Sequence, residues 1–200
     1  MFFDYLINNW MEVLGLISGL LCVWLLIREN VLTFPIGLIY AVLTIVVVYN
    51  EKLYADVFLN IYYVGMNAYG WFFWLRGGGE RRVERHLQVG SITQKQILWL
   101  TSILVIGSAV MGYLLASFTD ADLAYPDSFT TVASFIAMYL SARKYLESWY
   151  LWFIVDVVQV ILYLIKGIEI YALLYFIYLV MAFFGWRAWR VSARGVPIGD

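Results

Sequence analysis

Polar and aromatic residues recur at helical spacing in two apolar segments of the chain. Spacings of four, three and four residues separate the first set, Trp152, Asp156, Gln159 and Tyr163. Spacings of three and four separate the second set, Asn60, Tyr63 and Asn67. Such spacings place each set on one face of an α-helix. Amides donate and accept hydrogen bonds and aromatic rings attract cations, so both faces suit a polar, cationic small molecule.

Asp156 is the residue that most needs an explanation. It lies seven residues after Trp149, which is roughly 10 Å of helix rise. A carboxyl group at that depth in an apolar segment is costly unless it faces a cavity or a partner. We therefore predict that Asp156 binds substrate and balances a positive charge on it.

The other predicted substrate contacts each have a structural alternative. The amides of Gln159, Asn60 and Asn67 suit the hydroxyl and amide groups of a ligand, but they could instead hold helices together. The aromatic members of the predicted set suit stacking, but they could also serve packing or an aromatic belt at the membrane surface. These aromatic members are Trp152, Tyr63, Tyr163, Tyr175 and Tyr178.

Several enzyme classes lack their motifs here. The sequence contains no G-x-x-x-x-G-K-[ST] phosphate loop, no H-E-x-x-H zinc motif and no nucleophile elbow. It has one histidine, His86, and one cysteine, Cys22. We therefore predict no catalytic residues, no metal, no cofactor and no nucleic-acid partner.

The composition explains what must surround these residues. The chain has 200 residues, 64% hydrophobic and 14% charged, whereas soluble domains have roughly 45–50% and about 25%. A membrane-spanning helix needs about 20 apolar residues. Seven segments qualify, which predicts an all-α integral membrane protein. They are 12–28, 32–50, 53–75, 97–118, 128–142, 149–166 and 169–189.

The basic residues predict the orientation. With seven spans, eleven of the 13 Lys and Arg residues fall on one side. The eleven are Arg28, Arg76, Arg81, Arg82, Arg85, Lys95, Arg143, Lys144, Arg187, Arg190 and Arg194; the other two are Lys52 and Lys166. Basic loops stay in the cytoplasm. The N-terminus is thus expected outside and the C-terminus in the cytoplasm, in a multi-pass protein of the inner (cytoplasmic) membrane.

An internal repeat is visible at an offset of 115 residues. The third and seventh segments end alike, in Gly70–Trp74 (GWFFW) and Gly185–Trp189 (GWRAW). A polar break follows the first segment of each group, at Arg28–Asn30 and Arg143–Ser148. The alternative is that both ends are simply aromatic belts. The repeat predicts two parallel three-helix units joined by a linker helix (3+1+3), with the substrate site between them near the midplane.

This plan divides the chain into five regions. They are an interfacial segment (1–11), a first three-helix repeat (12–75), a cytoplasmic loop with linker helix and acidic outer loop (76–127), a second repeat (128–190) and a cytoplasmic tail (191–200). The loop 119–127 lies on the predicted outer side, and it is acidic and contains no basic residue. This agrees with the predicted orientation.

Several short motifs resemble the PnuC family of vitamin transporters. They are the N-x-x-G-W segment within Asn67–Trp74, KLYAD at 52–56, ESWYLWFIVD at 147–156 and the closing GWRAW. The resemblance covers about residues 12–190 and implies a fold similar to the SWEET sugar transporters, doubled with a linker helix. It also implies facilitated diffusion of nicotinamide riboside, thiamine or riboflavin, with the cargo trapped by a cytoplasmic kinase.

On this resemblance, our first hypothesis for the function is uptake of nicotinamide riboside. A transporter of thiamine or another vitamin, and a membrane-embedded ligand-binding sensor, are the alternatives. The lipid bilayer is an expected partner, and the sequence leaves a homo-oligomer open.

The orientation can be tested with single cysteines. After replacement of Cys22, we expect an impermeant thiol reagent applied outside to label Asp122→Cys but not Ser91→Cys or Ala193→Cys, because only position 122 lies in a predicted outer loop. The reagent is applied to intact cells, and mass spectrometry of the purified protein measures which variants are labelled. Labelling of position 91 from outside would contradict the orientation.

Overall fold

Helices account for most of the chain. The computed structural model describes residues 10–50, 54–83, 86–119 and 123–194. Within them lie seven α-helices: α1 (Trp10–Ile27), α2 (Thr33–Asn50), α3 (Tyr54–Arg76), α4 (Gln94–Phe118), α5 (Ala124–Ala142), α6 (Ser148–Ile165) and α7 (Glu169–Ser192). A 3-10 turn (Gly79–Arg81) and the paired strands β1 (Arg82–Val83) and β2 (His86–Leu87) separate α3 from α4. The predicted seven-helix, all-α fold is confirmed.

Two helix starts differ from the predicted segments by more than two residues. Helix α4 starts at Gln94 because Thr93 caps it: the Thr93 hydroxyl accepts from the Gln96 N–H at 3.4 Å, and the Gln96 side chain accepts from the Thr93 N–H at 2.8 Å. This T-x-x-Q capping box is readable in the sequence. Helix α5 starts at Ala124, so the end of the predicted outer loop is helical. Three parts of the predicted plan lie outside the described residues. They are the interfacial segment before the start of α1, residues 120–122 and the end of the tail.

Three helices, α4, α6 and α7, are long and apolar enough to cross a membrane by length and composition alone. Helices α1 and α2 contain shorter apolar stretches, Leu14–Ile27 and Thr33–Val47. Helices α3 and α5 are less apolar because they carry amides and hydroxyls, several of which are buried. Polar residues in spanning helices are tolerated where they face protein rather than lipid.

The chain forms two units, which we call unit 1 (Met1–Leu87) and unit 2 (Gln88–Asp200). In unit 1, α2 packs against both α1 and α3. In unit 2, α6 packs against both α5 and α7, and α4 packs against α5. The second helix of each three-helix group is thus its central helix.

The offset of 115 residues relates the helices of the two units. Adding 115 to the bounds of α2 gives 148–165, which are the bounds of α6. The same addition to α1 gives 125–142, against Ala124–Ala142 for α5. For α3 it gives 169–191, against Glu169–Ser192 for α7. No insertion or deletion therefore separates the two groups of helices.

The turns between the first two helices of each group also correspond. Glu29 has φ 54° and Lys144 has φ 57°, and these are the non-glycine residues with positive φ among those described. Their numbers differ by 115. The left-handed conformation costs a non-glycine residue about 1–2 kcal/mol. Both turns therefore hold a residue in the same unfavourable conformation.

In unit 2, hydrogen bonds join the segment before α4 to the turn between α5 and α6. The Gly90 N–H donates to the Lys144 carbonyl at 2.9 Å, and the Leu146 N–H donates to the Gly90 carbonyl at 2.9 Å. The Ser91 hydroxyl donates to the Glu147 carboxylate. These bonds fix the start of α4 relative to the start of α6.

A glycine lets an aromatic ring approach α3 closely in unit 1. The ring of Phe34 meets the ring of Trp74 edge to face, with 5.0 Å between centroids and 83° between planes. Phe34 also lies over Gly70, where an added Cβ would collide with its ring. Phe34 and Trp74 are both buried, so this contact sets how closely α2 and α3 pack.

Unit 2 repeats this contact at positions 115 residues later. Trp149 meets Trp189 edge to face, with centroids 5.4 Å apart and an angle of 89°. Trp149 lies over Gly185, where an added Cβ would again collide with the ring. Edge-to-face pairs of this kind contribute about 0.5–1.5 kcal/mol beyond their buried area. The G-W-x-x-W ends therefore have a packing role in each unit.

Alanine substitution tests these two contacts. We expect Gly70→Ala and Gly185→Ala each to destabilise the protein by about 1–3 kcal/mol, because the methyl group overpacks a buried ring. Thermal unfolding in detergent measures the loss. Gly65→Ala is the matched control on α3, since no atom lies within 4 Å of its added Cβ. Equal melting temperatures for all three variants would show that the contacts are loose.

Candidate substrate-binding site

The predicted amides of unit 1 are both in the interior of that unit. Asn60 and Asn67 are each 5% exposed, on the same face of α3. The Asn67 side-chain nitrogen donates to the Tyr63 carbonyl at 2.8 Å, one turn earlier. One donor of Asn67 is thus used on its own helix, while its second donor and its oxygen remain for other partners.

The space for Asn67 comes from a glycine on the neighbouring helix. An added Cβ at Gly37 of α2 would collide with the Asn67 amide. At the corresponding positions of unit 2, 115 residues later, the sizes are exchanged. Trp152 replaces the glycine and Ala182, which is 2% exposed, replaces the asparagine. Each unit therefore carries one large and one small residue at this level, but on opposite helices.

Asp156 is buried in unit 2, with 5% of its surface exposed. Its position corresponds to Ala41 of unit 1, which is 0% exposed. Among the residues that the structure describes, none hydrogen-bonds to the Asp156 side chain or forms an ion pair with it. Burying a carboxyl group without a partner costs free energy, so Asp156 is a member of the predicted set whose binding capacity is unused within the described residues.

Its two neighbours on α6 are tied to α5. The Trp152 indole N–H donates to the Ser141 hydroxyl at 3.1 Å. The Gln159 amide donates to the Thr130 hydroxyl at 3.5 Å, a longer and weaker bond. Asp156 lies between these two residues along α6. Trp152 therefore offers its ring rather than its N–H, and Gln159 retains its oxygen as an acceptor.

Hydroxyls of α5 that accept bonds from α6 were not among the predicted site residues. Ser128, Thr130, Ser134 and Ser141 are all buried. The hydroxyls of Ser134 and Ser141 each donate to the carbonyl one turn earlier, at 2.7 and 2.9 Å. A hydroxyl that donates to its own helix can still accept a bond from a neighbour. The sequence signal for these residues was a set of hydroxyls spaced by about one and two helical turns in an apolar segment.

The predicted tyrosines of unit 2 come together at the ends of two helices. Tyr163, near the end of α6, stacks on Tyr175 of α7 with 5.3 Å between centroids and 18° between planes. It also stacks on Tyr171, at 5.2 Å and 22°. Tyr178 meets Tyr175 edge to face at 6.0 Å. Tyr171 was not among the predicted substrate contacts, although it belongs to the same stack.

The unit 1 tyrosine is placed differently. Tyr63 is half-buried on α3, and its ring lies 6.1 Å from that of Tyr62 at a tilt of 57°. The planar stack is a feature of unit 2 within the described residues. Aromatic faces of this kind attract cations and stack on flat rings.

Comparison with known proteins now identifies the family. The family model described as "Nicotinamide mononucleotide transporter" matches residues 9–191, which is nearly the whole chain. The chain belongs to this family. It is a multi-pass membrane transporter rather than an enzyme.

Relatives in the family differ in the cargo that their names give. The chain is 29% identical to the nicotinamide riboside transporter PnuC of Escherichia coli (strain K12), over 93% of this chain and 87% of that protein. It is 24% identical to the riboflavin/roseoflavin transporter RibM of Streptomyces davaonensis, over 92% and 86%. The crystal structure of a vitamin B3 transporter PnuC matches with a TM-score of 0.73 and 23% identity, over 96% of this chain and 86% of that one. This last likeness confirms the fold.

The different bonding of Asp156 and Ser141 gives a stability test. We expect Asp156→Asn to keep or raise the melting temperature, because it removes a buried acid that has no described partner. We expect Ser141→Ala to lower it, because the part-buried Trp152 N–H would lose its acceptor, which costs at most about 1–3 kcal/mol. Differential scanning fluorimetry in detergent without ligand measures both.

Ser134→Ala is the matched control for Ser141→Ala. Ser134 is also buried on α5, and its hydroxyl donates to its own helix, at 2.7 Å to the Thr130 carbonyl. A large loss on Asp156→Asn would contradict the assignment, because it would give that carboxyl group a structural partner.

Proposed function

We propose that this transporter takes up nicotinamide riboside by facilitated diffusion, and that Asp156 binds its positive charge. The single observation that carries the proposal is the burial of Asp156 without a partner among the described residues. A cationic pyridinium ring would supply the missing partner, since opposite charges attract strongly where water is scarce. The names of several relatives, including the Escherichia coli protein, agree with this cargo.

The remaining predicted contacts have roles that fit the same molecule. The faces of Trp152 and of the Tyr163–Tyr175 stack would hold the flat ring by stacking and cation–π attraction. The acceptor of Gln159 and the amides of Asn60 and Asn67 would bind ribose hydroxyls and the carboxamide. Tyr63 and Tyr178 complete the proposed set.

We also propose that the two three-helix groups are internal repeats with α4 as the linker helix. The shared offset of 115 supports this, since it relates helix bounds, left-handed residues and aromatic pairs alike. The orientation with the N-terminus outside, in the inner membrane, is part of the proposal. The distribution of basic residues supports it.

The energetics of transport follow from the buried charges. Asp156 is the one buried acidic residue among those described. Proton relays in transporters use chains of buried acids or histidines, so we propose that cargo moves down its own gradient. Phosphorylation by a cytoplasmic kinase would then trap it inside.

Uptake into liposomes tests the proposed function. Purified protein in sealed vesicles should equilibrate labelled nicotinamide riboside across the membrane without ion gradients or ATP. A ligand-binding sensor would bind the molecule but leave the lumen empty. Accumulation above the outside concentration, driven by protons or sodium, would overturn the facilitated-diffusion mechanism. Thiamine and riboflavin serve as competing cargos, since the name of one relative gives riboflavin.

The charge of Asp156 can be tested by substitution. We expect Asp156→Asn to weaken nicotinamide riboside binding at least about tenfold, which corresponds to about 1.4 kcal/mol. Isothermal titration calorimetry of the folded variant measures this. Riboflavin is uncharged, so its binding should change much less if it binds at all. Unchanged affinity for the riboside in a folded Asp156→Asn protein would make Asp156 structural.

The family description names the mononucleotide, whereas the charges favour the riboside. A phosphate monoester carries about −1.5 to −2 charges at pH 7 and needs Arg or Lys partners in a dry site. Lys166 lies just after the end of α6, where its side chain is 36% exposed and pairs with Asp127 at 3.3 Å. Asp156 would repel the phosphate.

We therefore expect nicotinamide mononucleotide to fail as a competitor. At concentrations where unlabelled riboside displaces half of the labelled riboside, the 5′-phosphate should displace less than about a tenth, because a like charge and missing partners both oppose it. Equilibrium competition on the purified protein measures this. Equal competition by both compounds would remove the charge argument and the trapping mechanism together.

A further inference from the structure

Unit 1 contains an apolar cavity that the proposed substrate site does not use. It has a volume of about 340 Å³ and lies along α2 and α3. Its lining residues are Leu38, Ala68, Trp71, Phe72, Leu75 and Arg76. The one charged group of this lining is the guanidinium of Arg76, the last residue of α3.

Two of the lining side chains in unit 1 are smaller than the side chains at the corresponding positions of unit 2. Adding 115 to Leu38 and Ala68 gives Phe153 and Phe183 of unit 2. The ring of Phe183 lies 6.0 Å from that of Trp186, the counterpart of Trp71. Unit 2 thus carries aromatic rings at positions where unit 1 carries a leucine and an alanine.

The lining selects the chemistry of an occupant. Apart from the Arg76 guanidinium and the Trp71 N–H, the lining side chains offer a polar metabolite no hydrogen-bond partner. Most of its desolvation would go uncompensated. A hydrocarbon chain needs only apolar contact. The helices α2 and α3 belong to a membrane transporter, so lipid chains are the apolar molecules present at high concentration around them.

Arg76 adds a requirement for negative charge. Its side chain is exposed, and no ion pair joins it to another described residue. The guanidinium group matches phosphate oxygens with two parallel donors. The proposed orientation places the end of α3 at the cytoplasmic surface, where anionic lipids attract basic residues.

We propose that this cavity, bounded by Leu38, Ala68 and Arg76, binds one anionic phospholipid of the cytoplasmic leaflet. One acyl chain lies against Leu38, Ala68 and Phe72, and the phosphate group pairs with Arg76. Trp71 is exposed beside the cavity and contacts the region between chain and headgroup, where tryptophan is favoured. The proposal is independent of which vitamin is transported.

Native mass spectrometry can count the lipid. The full-length protein is reconstituted in nanodiscs of equal phosphatidylglycerol and phosphatidylcholine, and the lipids retained after release are identified. We expect the wild type to retain one phosphatidylglycerol with about fivefold preference, as one basic residue contributes about 1 kcal/mol near an anionic headgroup.

Two kinds of variant separate the chain from the headgroup. Ala68→Phe introduces the residue that unit 2 carries, fills the cavity and should abolish retention of either lipid. Arg76→Gln should leave retention but remove the preference for phosphatidylglycerol. Arg194→Gln is the control, because Arg194 is also exposed and basic, directly after α7, but lines no part of this cavity.

Leu38→Phe fills the cavity from the opposite helix and decides the matter if Ala68→Phe does not fold. Circular dichroism checks folding of each variant. Retention of phosphatidylglycerol by a folded Ala68→Phe or Leu38→Phe protein at the wild-type level would overturn the proposed site. An undiminished preference in Arg76→Gln, or equal loss in Arg194→Gln, would overturn the role of the arginine.

Discussion

Polar groups inside this transporter must find partners within the protein, because the hydrocarbon around it offers none. Several of them do so on their own helix: the buried hydroxyls of Ser128 and Ser134 donate one turn back along α5. Trp152 uses a hydroxyl of the adjacent helix. No described residue pairs with the carboxyl group of Asp156. The Ser148 hydroxyl and the Trp149 N–H are also buried without a described partner, and Asp156 is the acidic group among these three. A buried group kept at such a cost is best explained by a ligand that supplies the partner.

The packing contacts and the binding residues follow different patterns in the two units. The ring over a glycine is kept in both, with Phe34 over Gly70 and Trp149 over Gly185. Binding candidates are not kept: Ala41 stands where Asp156 would be expected from the offset. Contacts that hold three helices together constrain both units equally, whereas a single asymmetric molecule needs its charge partner only once. The same packing contacts can therefore be kept in both units while their other residues differ.

Much of this was readable from the sequence. Hydropathy gave all seven helices, and depth in an apolar segment singled out Asp156, because both signals depend on local composition alone. The bond from Trp152 to Ser141 was not predictable, since it depends on how α5 and α6 meet. The left-handed residues Glu29 and Lys144 were hidden for another reason: turns of this kind usually contain glycine, which both positions lack.

The exchange of sizes at one level of the two units has an evolutionary consequence. Gly37 accommodates Asn67 in unit 1, while unit 2 carries Trp152 and Ala182 at the matching positions. In unit 1, a lineage that changes this arrangement cannot enlarge Gly37 first, because an added Cβ would collide with the Asn67 amide. It must first shrink the large one and pass through an ancestor with two small residues and a void. The order of mutations at this level is therefore constrained, and homologues with a bulky residue at both positions should be rare.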